Sequence, residues 1–207
     1  MHIAVLGATG GTGTQFVNQA IEAGHTISAL VRNPKRLAVT GNHVRIVEGD
    51  MLKAVDVRQT VSGADAVVSA IGADTLGPTT AYSESAKILV ESMAAEGVRR
   101  IITVAAVGTN RNDPNIMLLG RLVMGLVLRN VLADMKRMEE ILESSDLQWT
   151  VMWPPRLTDG PKTGKYRTAV DCAVKRGSRV SRADVAHAML MSITDESTFG
   201  RRIALAE

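Results

Sequence analysis

The chain has 207 residues, 45% hydrophobic and 22% charged, with a formal net charge of +3. That composition excludes disorder and fibrous architectures, and its length suits one well-cored domain spanning 1–207. A single cysteine, Cys172, excludes a disulfide framework and any CxxC motif. The histidines His2, His25, His43 and His187 are scattered, with no HExxH, so no metal site is expected. Two Trp, two Tyr and two Phe are too few to build a base-stacking surface, so no nucleic-acid partner is expected.

Met1 runs directly into a short apolar segment at 2–6, without the charged start of a signal peptide. The apolar stretch 116–131 is interrupted by Arg121 and Arg129 and falls short of the roughly 20 clean residues of a membrane span. It reads as a buried or partner-facing helix, with no membrane insertion and a cytoplasmic location expected.

In chain order, short apolar runs at 3–6, 27–31, 44–47, 66–69, 101–105 and 149–153 read as buried parallel strands. Helical stretches at 13–23, 55–62, 83–96 and 116–144 lie between them. Strands near 167–171 and 179–180, a helix at 182–193 and a last strand at 203–205 complete the chain. Alternating βα units predict an α/β fold, a single doubly wound Rossmann domain with a parallel sheet of six or more strands ordered 3-2-1-4-5-6. The irregular segment 154–166 is long enough to suggest a functional loop. Ser181, followed by Asp184 at the third helical position, reads as a helix cap.

The strongest signal is Gly7-Ala8-Thr9-Gly10-Gly11-Thr12-Gly13, between a predicted strand and a predicted helix. Gly7 makes the tight turn, Gly10 lets backbone approach a phosphate, and Gly13 lets helix and sheet pack closely. Gly11 completes the turn, and Thr9 and Thr12 add hydroxyl donors. The helix N-terminus offers unpaired N–H groups to a pyrophosphate. The plainer reading is a structural turn.

After the second strand stands Val31-Arg32-Asn33-Pro34-Lys35-Arg36, with no acid for a ribose 2′-hydroxyl. Arginines grip a 2′-phosphate through paired charge-assisted bonds, so Arg32 and Arg36 favour NADP(H) as cofactor; the alternative is a solvated basic loop. Asp50, after the third strand, is placed to accept from an adenine amino group with Met51 over the base, or else simply caps the next helix. Ala70, Ile71 and Gly72, after the fourth strand, are small enough to sit near the middle of the cofactor.

Together these residues resemble the atypical short-chain dehydrogenase/reductase superfamily, in its NmrA-like NAD(P)H-binding branch, and within it the flavin reductase / biliverdin IXβ reductase group. Pro78-Thr79-Thr80 with Ser83-Glu84, Trp153-Pro154-Pro155, Thr163-Gly164-Lys165-Tyr166 and Ser178-Arg179-Val180-Ser181 carry the likeness over nearly the whole chain. The resemblance implies hydride transfer from NADPH to a flat conjugated small-molecule acceptor of flavin, bilin or quinone type.

The departures are specific. Neither Tyr82 nor Tyr166 has a lysine four residues on, and Lys136 has no tyrosine four before it, so the Tyr-x-x-x-Lys pair is absent. Where the group carries a serine and a histidine, this chain has Ala106 and Arg156, so no catalytic side chain is assigned. Arg156 would instead offer a cation to an anionic substrate, or anchor its loop. Met117, Met124, Met135 and Met138 suggest an adaptable apolar face, for a core, a dimer or a large flat substrate. The expected protein is a monomer or homodimer acting as an NADPH-dependent reductase; the alternative is a non-catalytic NADP(H)-binding redox-sensing or assembly protein.

Overall fold

The computed structural model describes residues 1–37, 39, 41–72, 75–109 and 128–207. The first part of the expected helical stretch 116–144, residues 116–127 with Met117 and Met124, lies outside the described residues.

The first half is regular βα alternation. β1 (His2–Leu6), β2 (Thr26–Val31), β3 (Val44–Glu48), β4 (Ala66–Ser69), β5 (Arg100–Val104) and β6 (Gln148–Trp153) are the six strands expected, within one or two residues. Helices α1 (Gly11–Glu22), α2 (Ala54–Val61), α3 (Ala81–Glu96) and α4 (Arg129–Glu143) lie between them in the chain. Then come β7 (Arg156–Thr158), β8 (Arg167–Val170), β9 (Arg179–Ser181), α5 (Arg182–Ser192) and β10 (Arg201–Ala206).

Among the described residues the main sheet has eight strands in the order β3-β2-β1-β4-β5-β6-β10-β8, so the expected 3-2-1-4-5-6 core is present. Two features depart from the single parallel sheet expected. β8 pairs antiparallel with β10 and forms the edge. β7, in a segment read as loop, pairs with β9 in a separate two-stranded sheet. Three residues following Pro154-Pro155 carry too little pattern to be read as a strand.

Side chains of β1 alternate between the faces of the sheet, as strand geometry requires. Ile3 and Val5 pack with Phe16, Val17 and Ala20 of α1 and Val185, Ala186 and Met189 of α5. Ala4 and Leu6 pack with Val57 and Val61 of α2, Leu89 and Met93 of α3, and Met138 and Leu142 of α4. Burial on both faces explains why these strands read as continuous apolar runs. Met138 is thus core. Among the described residues no helix is long and apolar enough to cross a membrane.

Candidate cofactor site

The strand order reverses between β1 and β4, and there the carboxyl ends of the strands open into a crevice of about 450 Å³. Ligands of doubly wound sheets bind at such a switch point. Leu6, Gly7, Thr9 and Gly10 line it from the β1 turn, Arg32 and Arg36 from the end of β2, and Asp50 and Met51 from the end of β3. Ala70, Ile71 and Gly72 close it from the end of β4, Thr79 lines it from the Pro78-Thr79-Thr80 piece, and Thr75 and Ala81, which the sequence did not single out, line it too.

The three spaced glycines differ in what requires them. Gly7 has φ +78, and a Cβ there would stand 2.5 Å from the carbonyl oxygen of Ala70, so both conformation and space demand glycine. Gly13 abuts the backbone of Gly7, which sets the close packing of α1 on β1. Gly10 has φ −79 and ψ 164, which any residue adopts, and a Cβ would meet the Gly7 carbonyl oxygen tightly at 3.3 Å and the Ala70 carbonyl oxygen at 3.8 Å. Glycine at 10 therefore keeps a cradle open beside the start of α1, which is what a pyrophosphate on a helix N-terminus needs. Thr12 is buried in α1 and does not line the crevice. Gly11 borders a second hollow beside the turn.

Arg32 and Arg36 are exposed at the crevice mouth. The turn that carries them is fixed by Asn33, whose Oδ1 accepts from the Lys35 backbone N–H at 3.0 Å, and by Pro34. Asp50 lines the crevice, and its Oδ1 accepts from the Leu52 N–H at 2.9 Å in a local turn; it does not cap α2, whose N-cap position is Lys53 and carries no side-chain cap. The Asp50 N–H donates to Oδ2 of Asp56, in the first turn of α2.

Other expectations are not gathered there. Arg156 stands exposed on β7, opposite Arg179 in register, outside the crevice lining. Tyr82 is buried at the start of α3. The hydroxyl of Tyr166 lies 2.8 Å from Nδ1 of His187 on α5, and burial, then the Asp184 carboxylate, push its pKa up. Lys136 is exposed and faces Glu140 at 3.6 Å. Ala106 precedes the short turn Val107–Thr109, and its carbonyl accepts from the Thr109 hydroxyl at 2.9 Å. Among the described residues, no His/Cys/Asp/Glu group could hold a metal ion.

A switch-point crevice with a glycine-rich cradle and two arginines at its mouth defines a Rossmann-type dinucleotide-binding protein. The chain belongs to the NAD(P)H-binding family, whose model matches residues 7–196. A short-chain dehydrogenase/reductase from Veillonella parvula DSM 2008, solved in complex with NADP, superposes with a TM-score of 0.85 at 19% identity, covering 100% of this chain and 94% of that one. ChuY, an anaerobilin reductase from Escherichia coli O157:H7, superposes at 0.80 with 21% identity, covering 100% and 97%. The photosystem II assembly factor Ycf39 of Synechocystis is 30% identical over 106 residues, 49% of this chain and 32% of its own length. The cofactor is thus NAD(P)H, and the fold is that of the atypical short-chain dehydrogenase/reductase proteins.

Proposed function

We propose that the chain is an NADPH-dependent reductase that passes hydride to a conjugated acceptor of flavin, bilin or quinone type. The carrying observation is the crevice mouth, where Arg32 and Arg36 stand and no carboxylate occupies the end of β2. An acid there would repel a 2′-phosphate; two guanidinium groups bind it. In this reading Gly10 and Thr9 hold the pyrophosphate, and Asp50 and Met51 hold the adenine. Ala70, Ile71 and Gly72 border the middle of the dinucleotide.

Bound NADPH supplies the hydride. The described crevice lining offers no tyrosine, histidine or lysine as a proton donor. Acceptors that take their proton from water suit such a site, because catalysis rests on positioning. The reductase among the structural neighbours supports the same class. The absent donors also favour a second reading, a non-catalytic NADP(H)-binding protein; the partial likeness to an assembly factor is in keeping with it.

NADPH oxidation followed optically against flavins, bilins and quinones separates the two. The reductase reading expects turnover with at least one acceptor and none with simple ketones; no turnover with any of them favours the binding protein. Replacing Arg32 and Arg36 together by alanine should remove about 1–3 kcal/mol of NADPH affinity, roughly 10- to 100-fold, and change NADH affinity little. Equal losses for both dinucleotides would remove the arginines from the 2′-phosphate.

A further inference from the structure

Gly11 lies outside the G-x-x-G-x-x-G frame, yet it too borders something that a side chain would hit. A Cβ on Gly11 would stand 2.6 Å from Cδ and 2.9 Å from Nε of Arg182. The Arg182 side chain, from the first residue of α5, therefore lies across the first turn of α1. Its guanidinium NH1 is 2.5 Å from Oδ1 of Asp159. Asp159 itself is 90% exposed, whereas the Arg182 side chain is 30% exposed. Beside the pair is a hollow of about 240 Å³, lined by Thr9, Gly10 and Thr14 on one side and by Asp159 and Arg182 on the other. Thr9 and Gly10 also line the dinucleotide crevice, so hollow and crevice share a wall.

We infer that Arg182 binds the cofactor's pyrophosphate and that Asp159 is its exchangeable counterion. The inference rests on the reading of the glycine turn as the pyrophosphate cradle. An ion pair to so exposed a carboxylate is weak, because water screens it and solvates Asp159 when it is released. A pyrophosphate at the start of α1 presents several acceptor oxygens to a planar guanidinium, which forms paired charge-assisted bonds with such groups. Exchange of Asp159 for pyrophosphate therefore runs downhill. Arg182 serves NADPH and NADH alike, unlike Arg32 and Arg36, which serve only the 2′-phosphate.

The test is equilibrium titration of the whole chain with NADPH, NADH and 2′-AMP, which carries the 2′-phosphate but no pyrophosphate. Arg182→Ala should weaken both dinucleotides about tenfold and leave 2′-AMP unchanged. Gly11→Ala keeps the arginine but pushes it aside, and should give the same pattern, with melting curves checking that both variants fold. Asp159→Asn removes the competing anion and should tighten both dinucleotides two- to fivefold. The inference is overturned if Arg182→Ala and Gly11→Ala bind both dinucleotides as the parent does. It is also overturned if Asp159→Asn weakens binding as Arg182→Ala does, since the pair would then shape the turn and not exchange. Should the parent chain bind neither dinucleotide, the reading of the crevice itself falls, a result distinct from either of these.

Discussion

Glycines 10 and 13 look equivalent in the motif and do opposite work. At Gly10 the backbone is ordinary and a Cβ would press on the Gly7 carbonyl oxygen at 3.3 Å, a contact that a shift of a few tenths of an ångström relieves, so a side chain would leave the chain folded while occupying the cradle. At Gly13 a Cβ would collide with the carbonyl oxygen of Gly7, which belongs to the rigid turn out of β1. Gly10→Val is therefore expected to abolish NADPH binding while the chain stays folded. Gly13→Ala is expected to cost about 1–3 kcal/mol of stability through overpacking. Denaturant unfolding beside an NADPH titration reads both. If Gly10→Val bound tightly, the pyrophosphate would not lie against this turn. The spacing of the motif was legible in the sequence because each glycine answers a local geometric demand. Arg182 was not, because its approach to Gly11 depends on how α5 packs on α1 across 171 residues of chain.

Helix α3 shows a similar limit. Thr80 stands at its N-cap position but makes no side-chain cap. The cap comes from α4 instead: the fully buried carboxylate of Asp134 accepts from the Tyr82 N–H at 2.9 Å and the Ser83 N–H at 3.4 Å. It also accepts from the Ser83 hydroxyl at 2.5 Å and from Arg137 at 3.1 Å. Periodicity revealed both helices, but a capping carboxylate 52 residues away leaves no local mark. The same holds for β8, whose alternating and largely exposed residues suit an edge, and whose antiparallel pairing is decided by β10. Asp134→Ala would take the capping acceptor from the Tyr82 and Ser83 N–H groups, while the Ser83 hydroxyl keeps the Thr80 carbonyl at 3.3 Å, a loss of about 2–3 kcal/mol in denaturant unfolding. A loss under about 1 kcal/mol would mean that water or a neighbouring acceptor replaces the carboxylate.

Across the whole molecule, α5 is held by a charge of matching sign at each end. Its C-terminal carbonyls, at Ser192 and Ile193, receive Arg100, whose guanidinium donates at 2.5 Å and 3.0 Å and lies over the Phe199 ring. Burial pulls the Arg100 pKa down to about 10, partly offset by Asp195, so the cation persists at neutral pH. At the N-terminal end, Asp184 accepts from the Thr163 and Gly164 N–H groups, both at 2.8 Å, and from the Thr163 and Ser181 hydroxyls at 2.9 Å. One carboxylate thus pins the irregular segment 159–166 to the helix that carries Arg182. Burial alone would raise the Asp184 pKa, but the hydrogen bonds from Gly164, Thr163 and Ser181 outweigh it and hold the pKa below the ordinary value. The sign of the consequence follows from linkage. In acid the unfolded chain binds the proton that the folded carboxylate refuses, so stability rises with pH there. The contribution is complete above the unfolded value of about 4 and is lost as pH falls through the lower folded value. Asp184→Asn should therefore lower the melting temperature clearly at pH 7, with the gap to the parent closing once the pH drops well below 4. Thermal melts from neutral pH down to about 2.5 measure it. A gap that stayed constant over that range would show that the shape of the side chain, and not its charge, holds the segment against α5.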